Sequence, residues 1–181
     1  MNWNPFKKKD EGPEFDPLKD LTLSGLKPGY VLDYDLKTWQ VTAQHRYEYD
    51  GDPTDEWELT CADDVVYLER EEDDGVTWTL TRKVGANAIE ENLRSHMKDN
   101  DDPPETLTFQ GTEYEADSSD VGQIFKDGEG EGQEFISWSY VDESEKKVLF
   151  VEQWGDNDYD VAAGEVVEEF QFSDILPGGK S

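Results

Sequence analysis

The residues that come closest to a ligand set are Asp156-Asn157-Asp158-Tyr159-Asp160. They place side-chain oxygens at alternate positions, as a calcium loop does with its first, third and fifth ligands. The match then fails. Val161 stands where such a loop needs a glycine for its sharp turn, and Val167 where it needs a bidentate glutamate. A solvated acidic turn accounts for the run, so no metal and no cofactor is assigned. Trp154 precedes this turn through Gly155. It is a candidate for an exposed aromatic anchor, with an edge-of-core residue as the alternative. Partner-binding residues are therefore expected at Trp154, Asp156, Asp158 and Asp160. A second aromatic pair, Trp3 and Phe6, lies beside Lys7-Lys8-Lys9. Three lysines supply little attraction to a membrane surface or an acidic partner, and a flexible tail explains the segment with less.

Other chemistries find weaker footing. Zinc in a small protein wants several Cys or His at close spacing, and His45, His96 and Cys61 are far apart in the chain. Nothing links either histidine to the cysteine as a nucleophile and its base. No nucleophile elbow, phosphate-binding loop or dinucleotide fingerprint is present. His45 falls in the alternating series Trp39, Val41, Ala43, His45, Tyr47 and reads as a hydrogen-bonded core histidine. A pair of carboxylates could act as acid and base on a glycoside, but with 45 acidic residues, proximity of two of them says little. Trp39, Trp57, Trp78 and Trp138 sit in strand patterns and read as core packing. The chain is not expected to be an enzyme.

The background to these residues is an acidic chain of 181 residues with 16 basic side chains and a formal charge of −29. That balance repels nucleic acid and anionic lipid and attracts a basic partner. A DNA mimic acting on a basic protein, and a calcium- or carbohydrate-binding protein or enzyme, are the alternative functions. Six Trp, eight Tyr and eight Phe in periodic patches argue for a folded core rather than disorder. A single cysteine suits a reducing compartment, the N-terminus has no signal-peptide pattern, and no run has the length of a membrane span. A cytoplasmic location follows.

Strands with turn signals between them position all of this. Residues 1–20 read as a flexible arm, 21–84 as a first β unit, 85–104 as helix and linker, 105–176 as a second β unit, and 177–181 as a tail. Ala86, Ile89, Leu93 and Met97 recur at spacings of three and four, the stripe of a short amphipathic helix. The units overlay: TWQVTA on TEYEAD, Trp57-Glu-Leu on Trp138-Ser-Tyr, and Val65-Val-Tyr-Leu-Glu on Val148-Leu-Phe-Val-Glu. The second copy carries two extra residues in its hairpin. The expected fold is mainly β: two similar antiparallel β units, each a small barrel or sandwich, packed together with one short helix between them.

Several of these stretches carry a family resemblance. Leu26-Lys-Pro-Gly opens the ordered region, followed by strands about Trp39 and Trp57-Glu-Leu, and by Tyr67-Leu-Glu-Arg with Asp74-Gly75. Gly111-Thr-Glu-Tyr, Lys147-Val-Leu-Phe-Val-Glu-Gln-Trp, Gly164-Glu-Val-Val and Phe172 come later. The set resembles the bacterial domain-of-unknown-function family 4178. The resemblance implies a cytoplasmic accessory module linked to membrane-stress proteins, with a protein partner near the membrane, and it carries over no catalytic residue. No direct nucleic-acid binding and no transmembrane segment are expected, while self-association through strand edges stays open.

Overall fold

Period-two runs broken by tight turns give strands, and here each half of the chain supplies five in the same order. The computed structural model describes residues 21–49, 52–72 and 74–178. The first half forms β1 (Val31–Tyr34), β2 (Lys37–Tyr49), β3 (Asp52–Cys61), β4 (Asp64–Glu72) and β5 (Val76–Val84). The second forms β6 (Thr106–Phe109), β7 (Thr112–Phe125), β8 (Gln133–Asp142), β9 (Lys147–Gln153) and β10 (Tyr159–Val167), and β11 (Ser173–Leu176) ends the chain. The first hairpin of each half turns through two left-handed residues: Asp35 and Leu36 at φ 48° and 60°, Gln110 and Gly111 at 51° and 73°. Such turns match the twist of the strands they join.

Two seams unite the halves. β5 pairs antiparallel with β10 from Trp78↔Val167 to Val84↔Val161, seven register pairs in all. β2 pairs with β7 over only four, from Arg46↔Phe125 to Tyr49↔Gly122. Eight strands, in the order β2-β3-β4-β5-β10-β9-β8-β7, thereby close into a barrel, with β1 and β11 lying beyond β2 and β6 beyond β7. The mainly β expectation with one helix holds, but the two halves share a single closed barrel rather than forming two separate units side by side. The physical reason is the edges: an open sheet leaves a row of unpaired backbone groups, and joining β5 to β10 and β2 to β7 pairs them.

A bulge in each long strand changes which face its residues present. The β2–β3 register shifts between Val41 and Ala43, and the β7–β8 register shifts between Ala116 and Ser118. Before its bulge, β2 aims Trp39 and Val41 to the side of Leu59. After it, His45 pairs with Glu56 and Tyr47 with Thr54 on the opposite side. The series from Trp39 to Tyr47 is thus one alternation in sequence and two faces in space, because the extra residue shifts the phase. The registers also set Trp39 level with Tyr114, one residue from the overlay made on sequence, whereas Trp57 with Trp138 and Glu69 with Glu152 fall as overlaid.

The main apolar clusters lie outside the barrel wall. Trp57, Leu59, Val66, Leu68, Trp78 and Leu80 face outward from β3, β4 and β5 and are covered by Leu23, Leu26, Leu32 and Phe172. On the other half, Trp138, Tyr140, Leu149, Val151 and Val161 are covered by Ala86, Ile89, Leu93, Met97 and Leu107. The four strand tryptophans are buried, as expected, and each indole N–H has a partner: Trp39 donates to the Tyr34 carbonyl, Trp57 to that of Leu26, Trp78 to the Glu169 carboxylate, and Trp138 to that of Asp102. The apolar stripe is buried too, yet the helix is shorter than the stripe. Ala86–Ala88 is a 3-10 turn, Asn92 is left-handed at φ 48°, and α1 spans only Leu93–Asn100. Asp101, also left-handed, ends it with its N–H on the Met97 carbonyl.

Candidate functional site

The inner wall of the barrel mixes polar side chains with a small, mostly aromatic cluster of Tyr47, Ile124 and Phe135. Thr54, Thr79, Thr81 and Ser137 are the buried polar residues of the described chain, and all four lie on faces that alternate with the outer core. They border a lumen of two adjoining chambers, about 430 and 520 Å3, which share Tyr49, Glu69, Ser137 and Phe150. The first chamber touches side chains from all eight barrel strands, so it is the interior and not a surface groove. An eight-stranded barrel is at the width where side chains either fill the interior or leave room for one small ligand.

Local register brings the carboxylates together. The turn at Ala62-Asp63 sets β3 against β4 so that Glu56 lies directly opposite Glu69. On the other half, Glu152 stands between Ser137 on β8 and Asp160 on β10. Each of the three glutamates is surrounded by protein and keeps part of its surface on the lumen. Burial pushes the Glu69 carboxyl up to about 8, with the charges of Glu71 and Glu152 acting in the same direction. Burial raises Glu152 to about 7 against the opposing charge of Lys83. Glu56 is held well above the usual carboxylate range by burial and by Glu69 and Glu152, although Lys83 and the Tyr47 hydroxyl oppose the shift. Tyr47 donates to Glu56 Oε1 at 3.4 Å.

Aromatic rings form one end of this space. Phe135 stacks on Trp154 at 4.7 Å between centroids and meets Tyr47 and Tyr49 edge-on at 5.5 and 5.7 Å. The Trp154 N–H is turned toward Glu152 closely enough to lower its pKa, yet it makes no hydrogen bond of ordinary geometry. At the mouth, Lys83 pairs with Asp160 at 2.8 Å. Burial opposes the Lys83 charge, but Asp160 outweighs it and raises the pKa. His45 also faces the lumen: its Nδ1 accepts the Asp127 backbone N–H at 3.1 Å, and burial lowers its pKa.

Of the residues expected from sequence to bind a partner, three reach this space. Trp154 is half-buried against Phe135 and lines the lumen, as do Asp158 and Asp160. Asp156 is exposed in the preceding turn, where its backbone carbonyl accepts the Tyr159 hydroxyl. Trp3 and Phe6 lie outside the described residues. Cys61 is half-buried against the outer core, and His96 is on α1, away from the lumen. Among the described residues, no group of three or more His, Cys, Asp or Glu side chains is placed to hold a metal ion, and no helix is long and apolar enough to cross a membrane.

Glu56, Glu69 and Glu152 were missed as a group. One signal was available: a two-residue turn at Ala62-Asp63 fixes which residues of β3 and β4 stand opposite, and it sets one glutamate against another.

A family model described as a domain of unknown function, DUF4178, matches residues 27–169, which include every strand of the barrel. The chain belongs to this family. The DUF4178 match begins at Lys27 and stops at Glu169, so β11 lies beyond it while both seams lie within. The chain is also similar to an uncharacterized protein of Aquifex aeolicus (strain VF5), at 25% identity over 172 residues, covering 95% of this chain and 94% of that one. The DUF4178 family is therefore found in bacteria. No solved structure matches the chain.

Proposed function

We propose that this DUF4178 protein is a non-enzymatic binding module whose barrel lumen holds a small polar ligand. The observation that carries the reading is the division of labour across the wall: the two larger apolar clusters pack outside, and the interior, beside one small, mostly aromatic cluster, keeps open volume lined by carboxylates, hydroxyls and rings. A barrel built only for stability would fill that interior with side chains. The matching order of β1–β5 and β6–β10, with a bulge in the second strand of each, supports an origin by duplication of one five-stranded unit. In that view the lumen is the space enclosed where the two copies meet.

The test is a thermal-shift screen of the full chain against polar metabolites, run beside Ala162→Phe, which places a ring on the inner wall opposite Lys83. A ligand that stabilises the natural chain and not the folded variant is expected. An equal shift in both, or no shift from any compound in the natural chain, would overturn the reading.

A protein partner is the second reading, as the accessory role implied by the family would require. It rests on Leu36 and Phe170, which are 105% and 84% exposed. Their turns are tied together where Tyr34 stacks on Phe172 at 4.6 Å, so the two exposed residues belong to neighbouring turns.

A further inference from the structure

Resting on the reading of the lumen as a ligand site, the charges inside it narrow the ligand class. Glu56 and Glu69 are direct cross-strand neighbours on the inner wall, and like charges so placed repel. Glu56 has the Tyr47 hydroxyl, and Glu152 has Lys83 and the Trp154 N–H nearby. Glu69 is surrounded by protein except where it opens on both chambers, and it receives no hydrogen bond or ion pair from any described residue. An enclosed carboxylate without a donor is costly unless something cationic joins it. The first chamber is lined by six acidic side chains against Lys83 and Lys126, with His45 pushed toward its neutral form by burial, so the cations of the chain itself do not match the acids.

A metal ion fits this space poorly, since the described carboxylates are not grouped as ligands and much of the wall is aromatic. Tyr49, Phe150 and Trp154 line it, and aromatic rings attract an organic cation and pack its apolar part. We propose that the lumen binds a primary ammonium ion with a short apolar body, its head against Glu69 and the facing Glu56 and its body against Tyr49, Phe150 and Trp154. A primary ammonium has three N–H donors, so it can serve Glu69 and the facing Glu56 and still bond to water in the lumen. Binding favours the charged form of Glu69, so a proton leaves as the cation enters. Glu71, Asp160, Lys83 and His45 surround the same space and share in that exchange.

The experiment is isothermal titration of the full chain with n-butylammonium, n-hexylammonium and 2-phenylethylammonium chlorides at constant ionic strength. It is run in buffers of different ionisation enthalpy, at about pH 6 and about pH 9. The neutral alcohols of the same shape and calcium chloride serve as comparisons. At least one ammonium should bind with release of protons and more tightly at the higher pH. Binding should weaken by about tenfold or more in Glu69→Gln and stay unchanged in Glu115→Gln, a charge loss on the exposed part of β7. Alcohols that bind as well as the ammoniums would overturn the cation assignment while leaving a ligand-binding lumen. Calcium binding with the same dependence on Glu69 would replace the organic cation by a metal. If no ammonium gives heat and the metabolite screen still finds a lumen ligand, the class is wrong; if that screen is also empty, both readings fall.

Discussion

Glu69 costs the fold more the more fully it is charged. Its carboxyl titrates at about 8 in the native chain against 4.5 as the ordinary value, so between those pH values the native state holds more protons than the unfolded one. Stability contributed by this group is therefore present below about pH 4.5 and is lost as the pH rises through about 8. Glu152, raised to about 7, has the same sign over a narrower window. Glu69→Gln should flatten the decline and stabilise the protein at about pH 8 by about 1–3 kcal/mol, the lumen's contact with solvent limiting the gain. Urea denaturation of both proteins from about pH 5 to about pH 8 measures this, and parallel curves would contradict it. In the sequence, Glu69 is one acid among 45, and its surroundings depend on a pairing that charge counting does not consult. The tryptophans were easier. A large ring at regular spacing in a strand has few places to go except a core, and Trp39, Trp57, Trp78 and Trp138 went there.

Strands were legible wherever one face is apolar and the other polar, and hairpins wherever a short turn joined them. The two seams were not, because β5 with β10 and β2 with β7 are distant in sequence and no turn fixes their register. Nor were the bulges at Thr42 and Asp117, where one extra residue resets the alternation without leaving a breaker in the sequence. The seams differ in strength. With four register pairs against seven, the β2–β7 seam should open first. Amides of Arg46–Tyr49 and Gly122–Phe125 at that seam should exchange with deuterium faster than those of β5 and β10, and slower exchange there would refute the ranking. At the stronger seam, Gly164 allows β10 to approach β5 so closely that an added Cβ would overlap the Leu80 carbonyl oxygen. Gly164→Ala should then cost about 2 kcal/mol or more and raise exchange along Val76–Val84, both read by denaturation and exchange on the same variant.

Across the whole molecule, a charge of −29 sets carboxylate against carboxylate with few counter-charges. Ion pairs such as Lys37–Asp64 at 3.1 Å are surface pairs and contribute little each, so screening of the general repulsion dominates the response to salt. Raising sodium chloride from about 50 mM to about 500 mM should raise the melting temperature, and a temperature that stayed level or fell would show that local pairs outweigh the net charge. Composition announced this property; what it could not announce is that some of the repulsion is turned inward. The bulges matter here for a reason beyond geometry. By sending one end of β2 and β7 to the outer packing and the other to the interior, they let the residues of the outer packing and the residues that line the lumen vary independently. Such a container can be refitted from within, one inward-facing side chain at a time, while its shell stays the same.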